Sequence, residues 1–186
     1  MVEGDVPHHA WPTKSLGELE AICNAGLQAN KYVFIWDKQG NVGTFMQYKG
    51  QLAPLAGEIM KKALGRQTDA GIGDYVRGQF VNAMRNGERM CIDIDKTAPN
   101  WEAYVSEGTF DLRFFDWGWL NQESNYLPFV RENENHGIGG LNPGHYNRSP
   151  NFVGIIRSGA EDEETLNSQI TQIPSFTRDF HHVIIE

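Results

Sequence analysis

The chain has 186 residues, with 16 Lys and Arg against 24 Asp and Glu, and so a formal charge of −8. That is the length of one ordinary domain, and the negative balance offers no field to hold nucleic acid or an anionic membrane. With 40% of residues apolar and 11% aromatic the chain can build a core, while no apolar run reaches the roughly 20 residues that cross a bilayer.

Residues 1–14 hold two prolines, His8-His9 and Trp11 without periodicity, which predicts an arm lying on the surface or on a partner. Residues 15–186 read as a single domain. Ser15 and Glu18 fit a capping box, and Leu16, Leu19, Ile22, Cys23 and Leu27 continue as one helical face to a stop at Asn30. Tyr32–Trp36 is an unbroken apolar run, the form of a strand covered on both faces, and Asp37-Lys38-Gln39-Gly40-Asn41 is turn chemistry. Thr44–Tyr48 reads as a brief strand before Gly50. Two helices follow: Leu52, Leu55, Ile59, Met60, Ala63 and Leu64 form one stripe ended by Gly65. Tyr75, Val76, Phe80, Ala83 and Met84 form the other, ended by Asn86-Gly87.

Met90–Asp95 is a second core strand with acidic residues at its carboxyl end, Phe152–Ile156 a third and Val183–Ile185 a fourth. Glu161-Asp162-Glu163-Glu164 loads the start of a short helix, where the dipole favours negative charge. Residues 96–151 are too aromatic for a linker and predict an ordered insertion, with an irregular Asn- and Gly-rich loop over Arg131–Pro150. Alternation of apolar strands with amphipathic helices predicts an α/β fold, a mainly parallel sheet flanked by helices in a three-layer sandwich, carrying this insertion.

The chemistry-bearing features are few. Asp93 and Asp95 fall at the carboxyl edge of the predicted sheet, where ligands bind in open α/β folds and where carboxylates can hold magnesium beside phosphates; alternating Asp can equally be a satisfied strand end. A catalytic phosphate loop needs a lysine directly before its Ser or Thr, but after Trp36 the chain offers Lys38 early in the loop and none beside Thr44. His8-His9 and His181-His182 are neighbours that point apart on a strand, and His136 and His145 sit in the loop, so no metal site is expected. Cys23 and Cys91 lie in apolar runs and give no disulfide or zinc framework. The start, Met-Val-Glu-Gly-Asp, resembles neither a secretory signal nor a transit peptide, which predicts a cytoplasmic or cytoskeletal protein. Trp11, Trp117 and Trp119 are the candidate anchors for a protein partner.

Over residues 30–186 the order of parts resembles the ASCE branch of P-loop NTPases, AAA-like folds in particular. Tyr32–Trp36 resembles the strand before the phosphate loop, Met90–Asp95 a Walker B strand, and Phe152–Ser158 a sensor strand with Arg157 or Ser158 at its polar end. Residues 174–185 are similar to the arginine, phenylalanine and closing strand of that family, with Arg178 in the place of a finger-like arginine. Residues 44–50 and 77–89 look like the degenerate P-loop segment of some ciliary IQ-motif and ankyrin-repeat proteins. The resemblance implies a non-catalytic P-loop-like domain, without cofactor, acting as a structural or assembly subunit of an intracellular complex, in a cilium or axoneme. The alternative it leaves open is a magnesium-dependent ATPase or phosphotransferase binding Mg-ATP through Lys38, Thr44, Asp93, Asp95 and Arg178.

Overall fold

Strands built of unbroken apolar runs need cover on both faces, and the protein supplies it with six parallel strands between layers of helices. The structure is a computed structural model and describes residues 8–186, His9 by its backbone alone; the first half of the expected arm lies outside the described residues. In chain order the strands are β1 (Thr13–Lys14), β2 (Tyr32–Asp37), β3 (Gln51–Pro54), β4 (Arg89–Asp95), β5 (Val153–Ser158) and β6 (Phe180–Ile185). They lie in the order β1-β6-β2-β5-β4-β3. The four strands expected as parallel neighbours are adjacent, β6 to β2 to β5 to β4. The longer helices are α1 (Leu19–Gln28), α2 (Asn41–Lys49), α3 (Leu55–Ala63) and α4 (Asp69–Asn86). Shorter ones are α5 (Trp117–Leu120), α6 (Glu123–Tyr126), α7 (Glu163–Ile170) and α8 (Phe176–Asp179).

Side-chain alternation along β2 sorts the layers. Val33 and Ile35 join Cys23 of α1, Val42 and Met46 of α2, and Cys91 in one cluster, whereas Tyr32, Phe34 and Trp36 join the cluster formed with α4 and the 96–151 segment. Burial pushes the Cys23 thiol up to about 11 and the Cys91 thiol well above its usual value, so both remain protonated and inert. A glycine is needed at 154, because a Cβ there would collide with the Tyr32 ring packed over β5.

Helix ends follow the chemistry expected of them. Glu18 accepts from the Ser15 amide at 3.0 Å and its hydroxyl at 3.1 Å, ahead of α1. Asn30, Gly65 and Gly87 take left-handed φ values of 55°, 68° and 68° just beyond α1, α3 and α4. The Asp162 carboxylate caps α7 through the Thr165 amide at 2.7 Å.

Two expectations are corrected. Thr44–Tyr48 is not a strand but lies within α2, because Val42 and Met46 four residues apart give a helical face and the preceding turn leads straight into it. Leu52 belongs to β3 rather than to the following helix: Pro54 cannot sit inside a helix, so α3 starts after it. With the helix so displaced, Met60 and Leu64 point outward, 67% and 63% exposed.

The 96–151 segment is ordered through short turns and buried aromatic rings that pack against α4 and the sheet. Trp101, Phe110, Phe114 and Phe115 are all buried, and the Tyr32 hydroxyl donates to the Phe114 carbonyl. Its Asn/Gly-rich half is tied to α4 by Arg77, 2% exposed, which pairs with Glu134 at 2.6 and 3.0 Å, Asp74 at 2.8 Å and the Phe129 carbonyl at 3.0 Å.

Burial also revises the docking role expected of two tryptophans. Trp117, 3% exposed, meets Tyr32 edge-on at 5.0 Å and stacks on Phe152 at 6.1 Å. Trp11, 5% exposed, stacks on His182 at 5.0 Å and meets Phe34 at 5.7 Å, so the latter part of the arm is a docked edge element continued by β1. Burial between such rings pulls the His182 pKa down to about 4. Because 117 and 119 lie on the helical turn α5, their side chains part, and only Trp119 stays half-exposed, under the Arg113 guanidinium at 4.8 Å. Trp117→Ala should therefore cost about 3–5 kcal/mol in urea unfolding and Trp119→Ala clearly less; equal small losses would place Trp117 outside the core.

Candidate functional site

In an open parallel sheet, ligands bind at the carboxyl ends of the strands, near the point where connections leave in opposite directions along the strand order. Here β2, β5 and β4 form that edge, and they end in Asp37, in Arg157 followed by Ser158, and in Asp93 with Asp95. Arg157 is 5% exposed and spans all three strands. Its Nη1 donates to Asp93 Oδ1 at 3.0 Å and to Asp95 Oδ1 at 3.1 Å; its Nε donates to Asp37 Oδ2 at 3.3 Å and its Nη2 to the Asp37 carbonyl at 2.8 Å. Burial works against the guanidinium's charge, and the nearby carboxylates of Asp93, Asp37 and Asp95 outweigh it, holding the Arg157 pKa above its ordinary value.

Asp37 is fully buried, and its carboxylate turns to the loop that follows. It accepts from the amide of Gly40 at 3.1 Å and from that of Val42 at 2.8 Å. Gly40 precedes α2 at φ 77°, a conformation that favours glycine. Amides at a helix start carry the positive end of its dipole and bind anions readily. The anion here is the chain's own side chain, fixed on its other side by Arg157.

The end of β4 is bent to fit. The pairing with β5 shifts between Asp93 and Asp95, Asp95 takes a left-handed φ of 46°, and its amide donates to Asp93 Oδ1 at 3.0 Å. Such a shift re-aims a side chain, and it turns Asp95 back toward Arg157. Behind it Gln169 of α7 donates to the carbonyls of Asp95 and Thr97, each at 2.8 Å, and accepts from the Ser158 hydroxyl at 2.5 Å. The cluster thus rests on satisfied polar groups.

Of the residues singled out for a nucleotide, the structure brings Asp93 and Asp95 together, with their oxygens on Arg157. Lys38 lies in the adjoining loop but sets its ammonium 4.3 Å over the Trp36 ring. The Thr44 hydroxyl, exposed on α2, donates back to the Gly40 carbonyl at 3.4 Å. Arg178 stands before β6, at the opposite edge of the sheet, and pairs with Asp116 at 3.0 Å and Asp179 at 2.7 Å. Among the described residues no group of three or more His, Cys, Asp or Glu is arranged to hold a metal ion. His136 contacts Arg85 at 3.2 Å and His145 is exposed.

Asp37, which sequence reasoning read as turn chemistry, and Arg157, read only as the polar end of a strand, turn out to organise the site. The available signal was that three apolar runs end in opposite charges, Asp37, Asp93 with Asp95, and Arg157. No protein-family model, curated protein or solved structure matches this chain.

Removing the internal anion leaves two amides and part of a buried guanidinium without their partner. Asp37→Ala should lose about 3 kcal/mol in urea unfolding. Sulfate, able to take the vacated place, should restore more stability to the variant than it adds to the wild type at matched ionic strength. Equal gains in both proteins would count against the Asp37 carboxylate being the loop's anion.

Proposed function

We propose that this chain is a non-catalytic, P-loop-like domain that serves as a structural or assembly subunit of a larger complex. The observation that carries the reading is the Asp37 carboxylate on the amides of Gly40 and Val42, held in place by Arg157. A phosphate-binding loop needs such amides for its ligand, together with a lysine. A carboxylate tethered in the same chain competes for them at high effective concentration. Magnesium needs carboxylate oxygens, and those of Asp93 and Asp95 that face the cluster are engaged with a guanidinium. The residues present therefore do not suit a magnesium nucleotide.

The order of strands supports the P-loop-like part of the reading. β5, likened to a sensor strand, lies between β2, likened to the strand before the phosphate loop, and β4, likened to a Walker B strand. The assembly part rests on surface, since docking needs no positioned catalytic groups. With Trp11 and Trp117 inside the fold, the most exposed large apolar side chains of the insertion are Ile138 and Leu141, 65% and 68% exposed, ahead of Val105. They sit on a Gly-rich turn closed by the bridge between His136 and Pro143. A ciliary setting rests on the resemblance of residues 44–50 and 77–89 alone.

Thermal unfolding with and without Mg-ATP, Mg-ADP and Mg-GTP tests the non-catalytic reading. A ligand at a hundredfold excess over its dissociation constant adds about 2.7 kcal/mol to the native state; no rise in melting temperature is expected with any of the three. A saturable rise would favour the magnesium-dependent ATPase or phosphotransferase instead. Purification of the native protein with its neighbours tests the assembly role, and recovery as a lone monomer would contradict it.

A further inference from the structure

We propose that Arg148 anchors a binding site for a small monocarboxylate at the amino end of the sheet, between the insertion and the start of β5. Its guanidinium carbon lies 5.0 Å from the centre of the Trp117 ring and 5.4 Å from that of Phe152, the residue before β5. Such a platform fixes the plane of the guanidinium and leaves its edges for hydrogen bonds. Nε and Nη2, the two donors that share one edge, are enclosed and have no partner in the chain, and the indole Nε1 of buried Trp117 has none either.

Elsewhere the fold answers its enclosed donors. Arg77 and Arg157 each set Nε on an aspartate, at 2.8 and 3.3 Å, and the Trp36 indole donates to the Ala160 carbonyl at 2.8 Å. Arg85 also has an unpartnered Nε, but its Nη1 and Nη2 bond to Glu134 and Asn82. Trp11 and Trp101 have unpartnered indoles without a lysine or arginine over their rings. The Arg148 guanidinium makes no hydrogen bond and no ion pair with any described residue. A guanidinium stays charged at ordinary pH, and a charge withdrawn from water calls for a counter-charge. Around this one stand only the phenols of Tyr32, Tyr126 and Tyr146, and burial pulls its pKa below the usual arginine value.

The surroundings decide the class of ligand. One buried positive charge balances one negative charge, whereas a dianion would leave its second charge among aromatic rings. Two oxygens in a plane match the edge formed by Nε and Nη2, which suits a carboxylate. Enclosure limits its size. A concavity of about 330 Å³ opens at Tyr146 and Asn147, the residues before Arg148, and is completed by Glu123, Gly144 and His145. Glu123 is exposed, so water and salt screen its charge at the rim. The Tyr126 hydroxyl, which accepts from the Arg148 amide at 3.4 Å, keeps its own proton to donate.

The test titrates the full chain with sodium acetate, at an ionic strength held constant with sodium chloride, and follows the side-chain N–H resonances of arginine and tryptophan by NMR. Acetate should give saturable shifts of the Arg148 Nε–H and the Trp117 Nε1–H, with those of Trp11 and Trp101 unmoved, and should raise the melting temperature. Arg148→Lys keeps the charge but loses the two-donor edge, and it should weaken acetate about tenfold or more. An unchanged amide spectrum away from the site will show that this variant is folded; if it does not fold, the wild-type titration decides alone. Absence of saturable shifts at both groups, or unchanged affinity in folded Arg148→Lys, would overturn the proposal. So would sulfate binding as tightly as acetate, which would make the site one for oxyanions in general. Capped acetyl-Gly-Glu-Gly-amide binding as tightly would also overturn it, assigning the site to a carboxylate side chain of a partner. The site lies at the opposite end of β5 from Arg157, so the outcome leaves the proposed function standing or falling on its own tests.

Discussion

A guanidinium taken out of water must be paired, and the pairing of Arg157 with carboxylates from two neighbouring strands sets the geometry of the carboxyl edge. The strands can end in charges at the same depth because each charge is answered by the next. Asp37 answers Arg157 on one side and two loop amides on the other, so the passage from β2 into α2 is closed by bonds inside the chain. The bend after Asp93 serves the same end, bringing a further carboxylate, that of Asp95, to the guanidinium from a position half open to solvent.

The opposite face of the sheet is governed by packing. Rings from residues 101–129 cover Tyr32 and Phe152, where a doubly wound fold would ordinarily place a further crossover helix, while Phe34 lies against Trp11 and Phe176. A cover made of single turns cannot satisfy its backbone in one long helix, so it is anchored at points, by the Tyr32 hydroxyl on the Phe114 carbonyl and by Arg77 on Glu134. These anchors bind a long interval in sequence to α4 and β2, and they account for an insertion that is rich in Asn and Gly yet has a defined path.

Much of this was legible in the sequence, and what was not has physical reasons. The core strands show as apolar runs because burial on both faces removes alternation, and the helix ends show because Asn30, Gly65 and Gly87 answer a backbone requirement that few residues meet. Thr44–Tyr48 has the look of a strand because Thr, Phe and Tyr favour strands, while the bonds that start α2 come from Asp37, before the helix. Trp117 and Trp119 pair as docking anchors only in an extended segment, because spacing of two means one face on a strand and divergent faces on a helix, and composition does not decide between them. At the site, Asp93 and Asp95 were legible as strand-end acids. Their partner was not, since Arg157 lies more than sixty residues away and only the sheet order sets β5 between β4 and β2.

Native-state hydrogen exchange at the amides of Gly40 and Val42 tests the central claim, that the loop after β2 is sealed by the chain's own carboxylate. The account predicts protection close to that of the β2 amides, in a loop that would otherwise exchange quickly, and loss of that protection in Asp37→Ala while β2 itself stays protected. Fast exchange at both amides in the wild type, or protection unchanged in the variant, would contradict it.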